Sequence, residues 1–340
     1  MPPPHTTLIP IVRERPARRH LRRPVISVCI VNWNCRELLR ACLRSLDPFR
    51  QKLQPEIIVV DNGSTDGAPE MVRAEFPEVV LLRNARNESF SRANNQAARR
   101  AHGRYLFFLN NDTEVPPGAL RRLLAFARAH PEAGLIGPRL RDARGRTQLS
   151  CRGRPTVPAL LHRTTLFQWT GLFRRAYRRY RGRDHDLSRT GPVEVLMGAA
   201  VLLRRRTFFD CGGWDESFTF GGEDVDLCRR VSRQYAVLYH PEVAIKHHGR
   251  VSSRRRPGYA FSNTLIGTAH ALRQGSCSTA GLLFYKAVVT LDTPLQWLGH
   301  ALRYLWRRLR GQRRQAEKSR LHLCGLGHFL TRGLTAFWRA

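Results

Sequence analysis

Four short, largely apolar runs recur along the first third of the chain: Val25–Val31 (VISVCIV), Glu56–Val60 (EIIVV), Val79–Leu82 (VVLL) and Tyr105–Leu109 (YLFFL). They are too short for helices and rich in β-branched or aromatic residues. Such runs mark strands buried on both faces of a parallel sheet. The segments between them have a helical period. Residues 36–46 put Leu38, Leu39, Cys42, Leu43 and Leu46 on one face, and Pro69–Phe76, Ser89–His102 and Pro116–His130 read the same way. Strands alternating with helices dictate a doubly wound α/β sheet, mostly parallel and flanked by helices.

Beyond residue 137 the pattern loosens. Residues 138–192 are rich in Arg, Gly and Pro, include FRRAYRRYRGR at 173–183, and read as a long excursion with some helix. Val193–Leu203 returns as strand, Gly222–Gln234 as helix, and Ala236–Tyr239 and Val243–Lys246 as two short strands. From about 257 the chain reads as helix to its end. The expected organisation is a basic flexible tail at 1–24, an α/β domain at 25–256 and a basic helical extension at 257–340.

Composition narrows the function classes. The 58 Lys plus Arg against 26 Asp plus Glu give a net charge of +32, and only four of the basic residues are Lys. Biased codon use and an anionic partner both account for such an Arg excess. The hydrophobic share of 42% is enough for a real core and argues against global disorder. None of the eight Cys forms a C-x-x-C pair, which argues against a zinc site of the usual spacing. The first residues carry Pro and Arg where a secretory signal has its apolar core, and no apolar stretch reaches the length of a membrane span. The expectation is a cytoplasmic protein. Neither a G-x-x-x-x-G-K-[ST] phosphate loop nor a G-x-G-x-x-G after the first strand is present.

In an open α/β sheet, ligands bind beyond the carboxyl ends of the strands. The first strand is followed by Asn32-Trp33-Asn34, the second by DNGSTDG at 61–67, and the fourth by Asn110-Asn111-Asp112. Each piece alone could be a turn or a cap. Together they place short polar and acidic groups at one sheet edge. Asp61 can accept hydrogen bonds from a base or ribose. Asp112 is a hard oxygen ligand for Mg²⁺ or Mn²⁺, ions that bridge one or two carboxylates to phosphates. The stretch GGWDESFTFGGEDVDLCRR at 212–230 holds five acids in a chain poor in them. There Glu223-Asp224 caps a helix or supplies a general base. His247-His248 after a short strand are further metal-ligand candidates.

The pieces SVCIVNWN (27–34), IIVVDNGSTDG (57–67), NESFSRANNQA (87–97), YLFFLNNDTEV (105–115), GGWDESFTFGGEDVDLCRR (212–230) and PEVAIKHHG (241–249) resemble, in order and spacing, family-2 glycosyltransferases. Within that family they are most similar to the rhamnosyltransferase-like group of bacterial cell-surface polysaccharide synthesis. The resemblance covers roughly residues 25–275. It implies a GT-A fold and inverting transfer of a sugar, rhamnose or another hexose, from a nucleotide-diphosphate donor to a glycan or lipid-linked acceptor.

By that resemblance Asp61 contacts the nucleoside. Asn110-Asn111-Asp112 stands for the metal motif, with Asn in place of its first acid. Asn94 and Asn95 lie beside the donor, and Asn32 and Asn34 join the donor set. Asp224 is the catalytic base, with Glu223 beside it and Trp214 near the acceptor. His247 joins Asp112 at the metal. The family's glycines before the Asn pair are replaced by Ser89 and Arg92, and Arg92 could pair with phosphate. The alternative from another class is a basic nucleic-acid-binding or membrane-binding protein with a degenerate transferase fold. RYLWRRLRGQRR at 303–314 mixes aromatics with Arg as anionic-lipid binders do. The expected location is therefore cytoplasmic and peripheral, on the inner face of the cell membrane.

Overall fold

The computed structural model describes residues 23–49, 53–249, 257–275 and 277–340; the tail expected at 1–24 falls almost wholly outside them. The chain divides into two compact units, the first formed by Met1–Cys151, Asp186–Glu216 and Arg230–Val251, the second by Arg152–His185, Ser217–Arg229 and Ser252–Ala340.

The first unit is built on one sheet. Its strands are β1 (Ile26–Asn32), β2 (Glu56–Asp61), β3 (Val80–Arg83), β4 (Tyr105–Asn110), β5 (Thr113–Glu114), β6 (Ala133–Arg141), β8 (Gly191–Pro192), β10 (Ala200–Arg204) and β11 (Ala236–His247); β7 (Cys151–Arg152) and β9 (Val195–Leu196) pair separately. The strand order is β3-β2-β1-β4-β10-β6-β11-β5, with β8 beside β11. Pairings of β1 with β2 and β4, of β2 with β3, and of β6 with β11 are parallel, while β10 runs antiparallel between β4 and β6. The expected α/β architecture is present.

Burial on both faces explains why β1 reads as an unbroken apolar run: Ile26, Ser27, Val28, Cys29 and Ile30 are all fully buried. Helices α1 (Arg36–Leu46), α2 (Ala68–Glu75), α3 (Phe90–Arg100), α4 (Ala119–Ala129) and α8 (Arg205–Asp210) complete the unit. On α1 the buried set is Leu39, Cys42, Leu43 and Leu46, leaving Leu38 at its edge.

Three expectations need correction. β6, a nine-residue strand, runs through the start of what read as an irregular excursion; its Gly134, Gly137 and Pro138 masked the strand pattern. The two strands expected at 236–239 and 243–246 are one strand, β11, whose register shifts between His240 and Ala244. The strand expected over Val193–Leu203 is broken into β9 and β10.

The second unit is helical. It contains α5 (Val157–Leu161), α6 (Thr165–Thr170), α7 (Arg174–Tyr180), α10 (Pro257–Gln274), α11 (Thr279–Leu309), α12 (Arg313–His328) and α13 (Leu334–Arg339), with a π-helical turn at Phe329–Gly333. Its core includes Leu160, Leu161, Tyr180, Leu272, Tyr285, Phe329 and Phe337. The helices from 257 onward therefore share a core with segments from the middle of the chain.

Backbone contact fixes one loop of this unit. Gly221 and Gly222 have φ near +81° and +97°, and a Cβ on Gly267 of α10 would meet the Gly221 carbonyl oxygen at 1.7 Å. Only glycine on both sides permits that approach. The loop is thereby held where helix α9 (Glu223–Val231) begins.

Candidate active site

The three carboxyl-end clusters meet at β1. Asn32, the last residue of β1, is fully buried. Its amide donates to Asp61 Oδ1 at 3.1 Å and Ser64 Oγ at 3.2 Å, and its oxygen accepts from Asn111 Nδ2 at 2.7 Å. Asp61, 1% exposed, takes a second bond from the Ser64 backbone N–H at 2.9 Å. One asparagine thus ties together the ends of β1, β2 and β4. Asn34, in the left-handed region at φ 50°, donates its N–H to Ser64 Oγ and accepts from the Thr65 N–H at 2.7 Å.

A second hub lies at Asn62, also buried. Its side-chain oxygen accepts from Asn84 Nδ2 and the Glu88 N–H, both at 3.0 Å, and its amide donates to Asn87 Oδ1 and the Ser89 carbonyl, both at 3.1 Å. Asn84 and Gln96 exchange two further bonds. Residues 84–89 are folded onto DNGSTDG by side-chain amides, where the family resemblance leads one to expect glycines. Ser89 accordingly sits at φ +83°, a conformation that suits glycine.

Arg92 does not await a phosphate. It pairs with Glu88 and Glu216, each at 3.1 Å, and these carboxylates hold it charged. Asn95 is likewise occupied. Its oxygen accepts from the Trp214 N–H at 3.0 Å, and its amide donates to the Trp214 carbonyl at 2.8 Å and to Glu216 at 2.9 Å. Asn94 is buried and donates to the Phe90 carbonyl of its own helix. Trp214 is 2% exposed and packs edge-on against Phe90 and Phe108, at 5.5 and 5.3 Å between centroids. Burial leaves that ring no face for an acceptor. Asn95 and Trp214 instead hold α3 and the 212–216 turn together, while Asn94 is spent within α3.

Asp112 follows the half-buried Asn110, whose carbonyl accepts from Thr113 Oγ1 at 2.7 Å. The short β5 pairs with the end of β11, with His247 opposite Thr113. This register brings His247 Nε2 to 3.4 Å from Asp112 Oδ1, with both residues buried. Gln148 sets the imidazole: its amide donates to the His247 carbonyl at 2.8 Å, which turns Oε1 toward Nδ1 at 2.8 Å. Nδ1 is therefore the donor there, and Nε2 offers its lone pair on the Asp112 side when the ring is neutral. His248, on the opposite side of the strand, bonds to Glu114 at 2.7 Å. Among the described residues no group of three or more His, Cys, Asp or Glu could hold a metal ion. Asp112 and His247 are two donors close enough to share one ion that keeps several waters.

In the second unit, α9 opens on Glu223 and Asp224, and acids in a first helical turn are stabilised by the helix dipole. Both Asp224 oxygens meet Arg152 Nη2, at 2.9 and 3.0 Å, and the ring of Tyr180 lies beneath the guanidinium at 6.0 Å. The Asp224 charge keeps Arg152 firmly protonated. Glu223 is the opposite case. Burial, then the neighbouring Asp224 charge, pushes its carboxyl up to about 7. Its Oε2 is sealed from solvent without a hydrogen-bond partner among the described residues. Sequence reasoning missed Arg152, which lies in the irregular stretch with no signal, and Gln148. It also passed over Asn62 and Ser64 as turn formers.

Residues 27–208 match the family model for glycosyl transferase family 2. The chain is 30% identical over 247 residues to the N-acetylglucosaminyl-diphospho-decaprenol L-rhamnosyltransferase of Mycobacterium tuberculosis, covering 68% of this chain and 79% of that one. It is 28% identical over 248 residues to the O-antigen biosynthesis protein RfbC of Myxococcus xanthus, covering 68% of this chain and 18% of RfbC. In structure it is similar to GalNAc-T7, with a TM-score of 0.54 and 18% identity over 74% of this chain and 48% of that one. It is also similar to the mannosyltransferase PcManGT of Pyrobaculum calidifontis, with a TM-score of 0.50 and 17% identity over 94% of this chain and 87% of that one. With a family model spanning more than half its length on a sheet of the GT-A kind, the chain belongs to glycosyl transferase family 2 and is a nucleotide-sugar-dependent glycosyltransferase.

Proposed function

We propose that the chain transfers rhamnose, with inversion, from a nucleoside-diphosphate donor to a lipid-linked glycan acceptor during cell-surface polysaccharide synthesis. The Asp112–His247 pair, buried at the carboxyl edge beside the Asn32 hub, is the observation that carries this reading. The sugar and the acceptor class rest on the 30% identical relative, which is named as a rhamnosyltransferase acting on N-acetylglucosaminyl-diphospho-decaprenol.

The donor's nucleoside lies over Asn32, Asp61 and Asn111, with Asn34 and Asn110 at the rim. The hub pre-sets these side chains, so ordering them costs little on binding. Asp112 and His247 would hold a divalent ion, Mg²⁺ or Mn²⁺, which when bound would neutralise charge on the diphosphate. Both solved relatives named above were determined with Mn²⁺.

Asp224 takes the proton from the acceptor hydroxyl as that oxygen attacks the anomeric carbon. The bond from that carbon to the diphosphate oxygen breaks in line, and its electron pair leaves with the nucleoside diphosphate. Arg152, bonded to both Asp224 oxygens, orients that carboxylate. Glu223, beside Asp224 at the helix start, is the second carboxyl assigned to the acceptor. The basic C-terminal helices, residues 257–340, keep the protein peripheral on the inner face of the membrane that carries the acceptor.

The test is calorimetry with UDP, dTDP and GDP, each with Mn²⁺ and with chelator. Metal-dependent binding selective for dTDP is expected. Selective binding of UDP or GDP would replace rhamnose by a sugar carried on that nucleotide, and no binding of any would sink the donor site.

A further inference from the structure

Helix α11 carries an apolar stripe that nothing in the described residues covers. Leu291, Leu295, Leu298, Leu302, Leu305 and Leu309 follow one another at alternating steps of four and three residues. All six are exposed, from 54% for Leu298 to 88% for Leu309. Phe284 and Trp306 extend the same stripe, at 53% and 48% exposed. At 3.6 residues per turn these eight side chains fall within about 100° of arc, and from Phe284 to Leu309 the stripe runs about 37 Å. Its opposite side is ordinary core: Leu282, Tyr285, Val289 and Thr293 are buried.

A second apolar element adjoins it. The start of α6 is tied to the middle of α11, because both oxygens of the buried Asp292 accept from the Thr165 N–H, at 3.0 and 3.1 Å. That short helix exposes Leu166 (65%) and Trp169 (82%). Isolated exposed apolar residues are ordinary, but a contiguous patch this long marks an interaction surface.

Charge identifies the occupant. No acidic residue occurs between Asp292 and Glu317, whereas Arg303, Arg307, Arg308, Arg310, Arg313 and Arg314 do. All but Arg307 are exposed. Arg303 and Arg310 flank the stripe on one side and Arg308 on the other, and the Arg310 guanidinium stacks on Trp306 at 4.3 Å. A second copy packed on this stripe would meet no carboxylate to offset these cations, since the one acid on α11, Asp292, is buried and bonded to Thr165. An anionic lipid surface offers hydrocarbon for the leucines, an interface for tryptophan and phosphates for arginine in one layer. No helix among the described residues is long and apolar enough to cross a membrane.

We propose that α11, joined by Leu166 and Trp169 of α6, lies flat in the interface of an anionic membrane, its leucine stripe among the acyl chains and its arginines on lipid phosphates. This rests on the proposed lipid-linked acceptor for its purpose, but not for its physics.

The test is co-sedimentation of the full chain with phosphatidylglycerol-containing and with pure phosphatidylcholine vesicles, at low and moderate salt. Tight binding to the anionic vesicles and roughly tenfold weaker binding to the neutral ones is expected. Replacing Leu302, Leu305 and Leu309 together by Ser should cost at least about tenfold in vesicle affinity. Replacing Arg303, Arg308 and Arg310 by Gln should remove the anionic preference and its salt dependence.

A second measurement needs no change to the leucines. Quenching of tryptophan emission by bromine-labelled acyl chains should fall in Trp306→Phe. Failure of the wild-type chain to bind anionic vesicles would overturn the proposal. So would binding indifferent to the leucine variant, or a dimer by light scattering that the leucine variant dissolves while vesicles are ignored. Nucleotide binding is measured on the same samples. Its loss with vesicle binding intact would strike the donor site alone, and the reverse result would strike the membrane surface alone.

Discussion

The sheet edge around Asn32 and the helix start at Glu223 are both polar and both half-hidden, yet they are built on opposite plans. At the sheet edge each buried amide and carboxylate has a protein partner: Asn32 has three, Asn62 has four, and Asp61 has two. At the helix start Asp224 is matched by the Arg152 guanidinium and by the Val225 N–H at 2.9 Å, while the neighbouring Glu223 keeps one oxygen buried with no hydrogen-bond partner among the described residues. A fully bonded network is rigid and pre-shaped. A carboxyl with one oxygen left partnerless in a buried place is pushed toward its neutral form. The first plan is the one expected of the proposed nucleotide edge, and the second the one expected of the proposed proton-handling group.

The largest test of that contrast is Asp224→Asn. It should lower turnover roughly 10²- to 10⁴-fold while leaving nucleotide affinity by calorimetry unchanged; parallel loss of both would make Asp224 structural. Next comes Asp112→Ala, which should weaken nucleotide binding in Mn²⁺ by at least about tenfold and abolish the difference between Mn²⁺ and chelator. A retained Mn²⁺ effect would move the ion elsewhere.

Asn62→Ala addresses the rigid side. It strands the Glu88 N–H and the Asn84 amide, so urea unfolding should show a loss of about 2–3 kcal/mol. A loss below that of an exposed Asn→Ala would mean that the hub contributes little.

Glu223→Gln reads the other side through pH. The folded carboxyl titrates near 7 against 4.5 for the ordinary group. The folded protein therefore keeps this proton in a range where the unfolded chain has released it. Its stabilising share is full below about pH 4.5 and is lost as pH rises through about 7. Thermal unfolding should show Glu223→Gln gaining on the wild type as pH rises from 5 to 8, by on the order of 1 kcal/mol. An advantage that does not grow with pH would contradict the burial of an unpartnered carboxyl. The smallest effect is Ser89→Gly. It relieves the positive φ but gives up a weak cap, and a gain of about 0.5 kcal/mol in urea unfolding is expected.

Much of the fold was legible because its cause is local. Buried parallel strands need unbroken apolar runs, and β1, β2, β3 and β4 each show one within a residue or two of the observed bounds. The helices between them followed from a 3.6 period. Where glycine and proline diluted the pattern, as in β6, or where a bulge broke it, as in β11, the reading failed.

The candidate site was legible in its members more than in their duties. Composition and order could place Asn32, Asp61 and Asn110–Asp112 at one edge, because every parallel strand delivers its last residue to the same side. They could not show that Arg92 is engaged by Glu88 and Glu216, that Asn95 is used up on the Trp214 backbone, or that Trp214 itself is sealed.

The sequence alone determined the first four strands, the shared edge at which their last residues gather and the family, since these rest on short-range periodicity and on motifs a few residues long. Only the tertiary structure decided the pairings. Arg152 meets Asp224 across 72 residues, His247 meets Asp112 through the antiparallel register of β5 and β11, and Asp292 reaches Thr165 across 127 residues. Such contacts depend on where distant segments are brought in space, and a side chain's protonation, burial and freedom to act depend on them in turn.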